Sequence, residues 1–592
     1  MNKKIVLFTT FLLTAALLTG CGSSGSAARN FSAAETAEQF TVSETSALLT
    51  SAAGLSLPAF GDAVSAGNTL GVEYDYTLQL SDSGSNCNAR GAVIDGSTVT
   101  LTEAGTYLVS GSLTDGQLLI STDSESKVKL LLNGVSVQNS STAAVYLLNA
   151  DKLVLETVDG SSNYLAGSGA FDAVDGETVD AVIYAKDDLT LKGSGSLTVV
   201  TESGHGIVCK DDLKISGGTL NVSAARKAVY GKDSVTVSDC VLNLSAGTTG
   251  ICSDMQGVAE SGIVTLESGT INIVSGDKGI SASVLLTVEE PEIVINAGED
   301  GLHSDAAAVI NGGSILIDCR DDAVHADSSL SVGGGSLEIS SCYEGLEAAD
   351  LTISGGTVTL NASDDGVNAG RSLTVTGGSM IINASGDGVD SNGSLTVTGG
   401  LLYISGPTNS GNGALDYGTE GVISGGIVVA CGASGMAVNF GSNSTQGSIL
   451  YNFDTSLNGG DTVTLTNAAG EILASFTPEK AYNSVVISAP GIEAGSTYTL
   501  TAGSQSVSIE MTSLIYGSGG MGGHGGMGGG MGGHGGMNGG MGGHESVDGS
   551  ESASDFGGHG GHGGFDPNSM PDSASESSDP GNAPGRPDGS AL

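Results

Sequence analysis

Five blocks between residues 296 and 392 place an acidic side chain just before a small residue, at Asp300, Asp322, Glu344, Asp365 and Asp387, with a period of 21 to 22. Three positions on come His303, His325, Glu347, Asn368 and Asp390, with Asp305, Asp327 and Asp364 close by. Oxygen donors repeated at one step suit a hard divalent cation. Residues that recur once per coil of a β-solenoid lie about 4.8 Å apart, the strand spacing. Half of that, about 2.4 Å, falls inside the Ca²⁺–oxygen range of roughly 2.3–2.6 Å. An ion between coils would take one carboxylate from each; Mg²⁺, with shorter bonds and a strict octahedron, fits less well. A single Asp-Gly is ordinary turn chemistry, its side chain bonding nearby amides. Five stacked levels make a candidate Ca²⁺ column of Asp300, Asp322, Glu344, Asp365 and Asp387, extended by Glu347, Asp390, Asp305, Asp327 and Asp364. His303 and His325 could hold zinc with Asp305 and Asp327, although exposed histidines are the expectation. The same column upstream, Tyr184, Val208, Tyr230, Cys252 and Ser281, has no ligand set.

The elements that position these residues follow from the spacers. Between the blocks run Leu351-Thr-Ile-Ser-Gly-Gly356, Leu373-Thr-Val-Thr-Gly-Gly378 and Leu395-Thr-Val-Thr-Gly-Gly400. A fixed period of this size marks a solenoid. An apolar residue recurs at Ile183, Ile207, Val229, Ile251, Ile280, Leu302, Val324, Leu346, Val367 and Val389, with an insertion before Ile280. About three short strands fit each coil, which predicts an all-β chain folded as a parallel β-helix, right-handed by analogy with known β-helices. The pattern predicts the β-helix over 69–442. Stricter alternation then predicts a small β-sandwich over 443–512 that caps the open end of the solenoid, where an unpaired strand edge would otherwise be exposed. From 513 to 592 the chain is Gly/Met/His-rich and then acidic, a composition unable to bury a core. Its Met and His residues suit soft metal ions, but flexible spacer is the expectation.

Composition narrows the function. The net charge of −46 excludes nucleic acid and electrostatic adhesion to an anionic bilayer. From Pro291 to Gly393 sixteen acidic residues face two basic ones, Arg320 and Arg371, so this stretch needs a counter-charge. Residues 1–21 read as a lipoprotein signal: Lys3 and Lys4, the apolar run Ile5 to Leu18, then Leu18-Thr-Gly-Cys21, which resembles a lipobox with Cys21 acylated. Residues 22–68 would tether a monomer to the outer face of the cytoplasmic membrane. The remaining seven cysteines lack C-x-x-C spacing and are expected as buried thiols.

The blocks Glu299-Asp-Gly-Leu-His-Ser-Asp305, Cys342-Tyr-Glu-Gly-Leu-Glu-Ala348 and Asp364-Asp-Gly-Val-Asn-Ala369 resemble signature coils of a family of extracellular bacterial proteins. These are the carbohydrate-binding domain-containing proteins, whose type member is a clostridial β-helix, and the resemblance spans about residues 85–510. It implies a pectate-lyase-like β-helix that binds Ca²⁺ through the acidic column and attaches to plant cell-wall polysaccharide, polygalacturonate-like and in some cases cellulose. Thr249 and Lys278, at the same position upstream, depart from the pattern. A bridging Ca²⁺ would let an acidic protein hold an acidic sugar. Arg320, Arg371 and Tyr343 are candidate sugar contacts, and Tyr403 and Tyr417 could also stack on a sugar ring. Non-catalytic capture is the leading function. A Ca²⁺-dependent lyase on the same fold would need a strong base, for which Arg320 and Arg371 are the only candidates in the acidic half besides Lys278. A surface adhesin in which calcium serves only stability is the third reading.

Overall fold

The computed structural model describes residues 72–517, apart from 170, 172, 175, 176 and 259, and these form strands and turns without a helix. The lipobox with Cys21, the tether and the Gly/Met/His-rich repeats lie outside the described residues.

Alternation in the spacers sends every second side chain inward. Leu351 and Ile353 are buried while Thr352 between them is half-buried. Successive coils then pair in parallel. Ile183, Ile207, Val229, Ile251, Ile280 and Leu302 are direct neighbours in that order. Leu302, Val324, Leu346, Val367 and Val389 continue the same file. All ten are at most 1% exposed. Two further strands complete each coil; Leu285–Val288 pairs with Ala307–Ile310, and Glu292–Ala297 with Ser314–Asp318. The result is a β-solenoid of about 15 turns. The strands Ile251–Ser253 and Ile263–Leu266 are separated by a longer connection than on the next coil, which accounts for the long gap before Ile280.

The second glycine of each Gly-Gly pair turns a corner that other residues avoid. Gly335, Gly356, Gly378 and Gly400 have φ of 79°, 76°, 75° and 82°. A Cβ on Gly378 would also meet the Gly355 carbonyl oxygen at 2.7 Å. Gly378→Ala is therefore expected to destabilise the fold by about 1–2 kcal/mol from the left-handed backbone alone, read as a drop in denaturation midpoint.

The predicted sandwich is present but does not stand apart from the solenoid. Ile472–Phe476, Val463–Asn467, Thr497–Ala502 and Gln505–Glu510 make one antiparallel sheet, in that order. The other layer starts on the last coil strand, Glu420–Gly432, which pairs antiparallel with Tyr482–Ser488, itself antiparallel to Ser448–Leu457. Val429, Ile449, Val485 and Ile487 pack with Val463, Leu465, Leu500 and Ile509 in a core of their own. The ordered chain also outruns residue 512, because Ile515–Tyr516 pairs with Ser448 and Ile449, and Asn439 donates to the Tyr516 carbonyl at 2.8 Å. Tyr403 stacks on Phe476 of the sandwich at 4.9 Å, and the Tyr417 hydroxyl donates to the Asn439 carbonyl, so both aromatic rings have structural roles. Six of the seven described cysteines are buried and all are free thiols, as expected of core fillers.

Candidate functional site

Coil stacking explains why each acidic residue precedes a small one. A Cβ on Gly366 would come within 2.4 Å of Ile382 and 2.6 Å of the Gly388 carbonyl oxygen; on Gly345 it would meet the Gly366 carbonyl at 2.3 Å. The backbone ladder carries the acidic residue along in register. The amides of Gly279, Gly301, Ala323, Gly345 and Gly366 donate to the carbonyls of Asp300, Asp322, Glu344, Asp365 and Asp387.

Three of these aspartates use one oxygen on backbone and leave the other for neighbours. Asp300 Oδ1 accepts the Asp322 amide at 3.3 Å, Asp365 Oδ1 the Asp387 amide at 2.6 Å, and Asp387 Oδ1 the Gly413 amide. The turn chemistry of an isolated Asp-Gly is thus present, but directed to the next coil.

The column is not the uniform ladder that equal spacing predicts. It divides into groups, because the residue three positions on differs from level to level. At level 300 the counter-charge is built in. Lys278 and His303 Nδ1 both donate to Asp300 Oδ2, the latter at 2.8 Å, and His303 Nε2 lies 2.9 Å from Asp305. Burial pushes the Asp300 carboxyl up, but the His303 and Lys278 hydrogen bonds outweigh it and hold it at about 2. At level 322, His325 Nδ1 lies 3.0 Å from Asp322 Oδ2 and 2.6 Å from Glu347 Oε2, while Nε2 lies 3.0 Å from Asp327. Burial lowers the His325 basicity, yet these three carboxylates raise it further, to about 11. Asp321 joins Asp300 and Asp322, ligand atoms within 4.8 Å of one another. At level 344, Glu344 accepts from Asn368 at 2.9 Å.

At the far end Asp365, Asp387 and Asp390 converge, each offering an oxygen within 4.8 Å of the others. Burial first, and then neighbouring carboxylates, push Asp365 up to about 6 and Asp387 and Asp390 up to about 7. Among the described residues no lysine, arginine or histidine is ion-paired with them. An all-oxygen, half-buried donor set with uncompensated charge fits Ca²⁺.

The histidines are not exposed as expected. Their side chains keep 13% and 21% exposure, and the rings stack at 5.0 Å with 9° between planes. One-coil spacing places ring on ring, with acids at both nitrogens. The remaining candidates sit elsewhere. Tyr343 bonds to Asp364, which pushes the phenol up to about 12. Arg371 is tied to Asp350 in an exposed ion pair, its Nε at 3.2 Å. Arg320 is exposed. A further group, Asp188, Asp211 and Asp212, lies on upstream coils. Asp187-Asp188 and Asp211-Asp212, one coil apart, were its signal in the sequence. Asp188 is paired with Lys152 at 3.3 Å and Asp212 accepts from Ser234 at 2.6 Å. The upstream outer column is apolar: Tyr146, Tyr184 and Val208 pack with Ala143, Val179 and Ala181.

A curated protein of Acetivibrio thermocellus, called a carbohydrate-binding domain-containing protein, is 36% identical over 139 residues, 23% of this chain and 49% of its own length. The chain thus spans about half of that relative. A solved chain described as the polysaccharide lyase-like protein from C. thermocellum, in a gadolinium derivative, is 29% identical at a TM-score of 0.39, covering 40% of this chain and 96% of its own. The family model for carbohydrate-binding domain-containing proteins matches residues 95–345 and 342–527, most of the described molecule. The chain belongs to the carbohydrate-binding domain-containing protein family.

Proposed function

We propose that this protein captures acidic polysaccharide through Ca²⁺ held by Asp365, Asp387 and Asp390, and that it does so without cleaving the sugar. The observation that carries this reading is the convergence of three half-buried carboxylates with no basic partner among the described residues. Such a set attracts a divalent cation, and its solvent-facing side leaves coordination positions for carboxylate oxygens of a uronate chain. The bridging ion also removes the repulsion between a chain of charge −46 and a polyanion. Family membership supports carbohydrate as the ligand class. The non-catalytic role is supported by Arg371, which is engaged by Asp350 and so a poor candidate base. The Lys3–Cys21 segment supports anchoring by lipid outside the cytoplasmic membrane.

The test is retention on immobilised polygalacturonate with Ca²⁺ or with chelator, while absorbance of unsaturated products is followed. Capture predicts at least about a tenfold loss of retention on chelation, worth ~1.4 kcal/mol, and a flat absorbance trace. Equal retention in chelator removes the bridging ion from the account, and rising absorbance makes the protein a lyase.

A further inference from the structure

Asp322, His325 and Glu347 form a donor set unlike the rest of the column. Two carboxylate oxygens converge on His325 Nδ1, at 3.0 Å from Asp322 and 2.6 Å from Glu347. That nitrogen carries at most one hydrogen, so one proton serves two acceptors. One coil earlier the corresponding need is met by Lys278, which donates to Asp300 beside His303. At Asp322 and Glu347 no lysine or arginine takes that part among the described residues.

The back of the ring carries a second, independent indication. His325 Nε2 is held by Asp327 at 3.0 Å, and the ring is flanked by the stacked His303. A carboxylate on the far nitrogen is the arrangement that fixes tautomer and orientation in histidines that bind metal through the near one. From this geometry we infer that Asp322, His325 and Glu347 bind a first-row transition ion, Zn²⁺ above all, at a centre separate from the Ca²⁺ group.

The dimensions suit it. Zn²⁺ bonds of about 2.0–2.2 Å at tetrahedral angles set adjacent donors about 3.3 Å apart. Replacing the shared proton by the ion opens the 3.0 Å contact to Asp322 by about 0.3 Å and the 2.6 Å contact to Glu347 by about 0.7 Å. An imidazole donor favours Zn²⁺, whereas Ca²⁺ takes oxygen alone. Three protein ligands leave a fourth corner for water or a sugar oxygen, reached past Glu347, whose side chain is 32% exposed. This centre does not depend on polysaccharide or on Ca²⁺ at Asp365, Asp387 and Asp390.

The experiment uses the full chain, stripped by chelator, then titrated with Co²⁺ in excess Ca²⁺; tetrahedral Co²⁺ complexes absorb in the visible. His325→Asn is the central variant, because Asn368 already occupies the equivalent place on a later coil. The expected result is a visible band that Zn²⁺ displaces and Ca²⁺ does not. His325→Asn and Glu347→Gln should each weaken the ion by more than about 100-fold, and the outer partner variant Asp327→Asn by about 10–100-fold. Ca²⁺ binding should persist in all three. The Met/His tail is common to every variant, so a band of equal strength in His325→Asn places the ion elsewhere and overturns the assignment. Absence of the band, or its loss to Ca²⁺, overturns it as well.

Discussion

Asp387→Asn combined with Asp390→Asn is expected to lower Ca²⁺ affinity by at least about 100-fold, roughly 3 kcal/mol, in calorimetric titration of the full chain. Two of the three converging carboxylates are then neutral. Charge count is a main determinant of affinity in oxygen sites, and Asp365 alone leaves one anionic ligand. The amides retain a partner, because an asparagine carbonyl can still accept from Gly413 as Asp387 Oδ1 does. The fold should therefore survive, separating loss of the ion from loss of structure. Retention on polygalacturonate should fall together with the ion. If the double variant binds Ca²⁺ as tightly as the parent, the ion is held elsewhere.

In chelator, the melting temperature is expected to fall by several degrees as pH rises from about 4 to about 7, and Ca²⁺ should flatten the slope. Asp365, Asp387 and Asp390 are raised to about 6, 7 and 7, above the usual carboxylate value of about 3.9. Between those limits the folded state keeps protons that the unfolded state has released. Stability then decreases with rising pH, fully present below about 4 and lost once the folded carboxyls ionise against Glu344, Asp364 and Asp416 around them. Asp300 acts oppositely but in a lower window, its stabilisation disappearing only as pH falls from about 4 through about 2. Ca²⁺ binds the ionised form and offsets the penalty where it is largest. A melting temperature that rises with pH in chelator is incompatible with this.

The solenoid was legible because its signal is additive. Ten apolar positions at one period, each paired with the next, leave few alternatives, and the acidic column inherits their register. Its division into groups was less legible. Which oxygen of Asp365 meets the Asp387 amide, and how two acids converge on one nitrogen of His325, depends on side-chain direction, which a period does not specify. Lys278 was visible as a departure from the pattern, but its pairing with Asp300 needed the fold. The sandwich boundary was blurred because Glu420–Gly432 keeps the alternation of a coil strand while serving two cores. The direction of its partner is a long-range property that local alternation does not encode.

That partner has a consequence for self-association. A stack of parallel rungs has no intrinsic end, since its last rung offers a template for another chain arriving head to tail. Here the edge of Glu420–Gly432 is taken by Tyr482–Ser488, whose other edge is covered in turn by Ser448–Leu457. An incoming chain would have to displace these covalently attached strands before it could add to that rung.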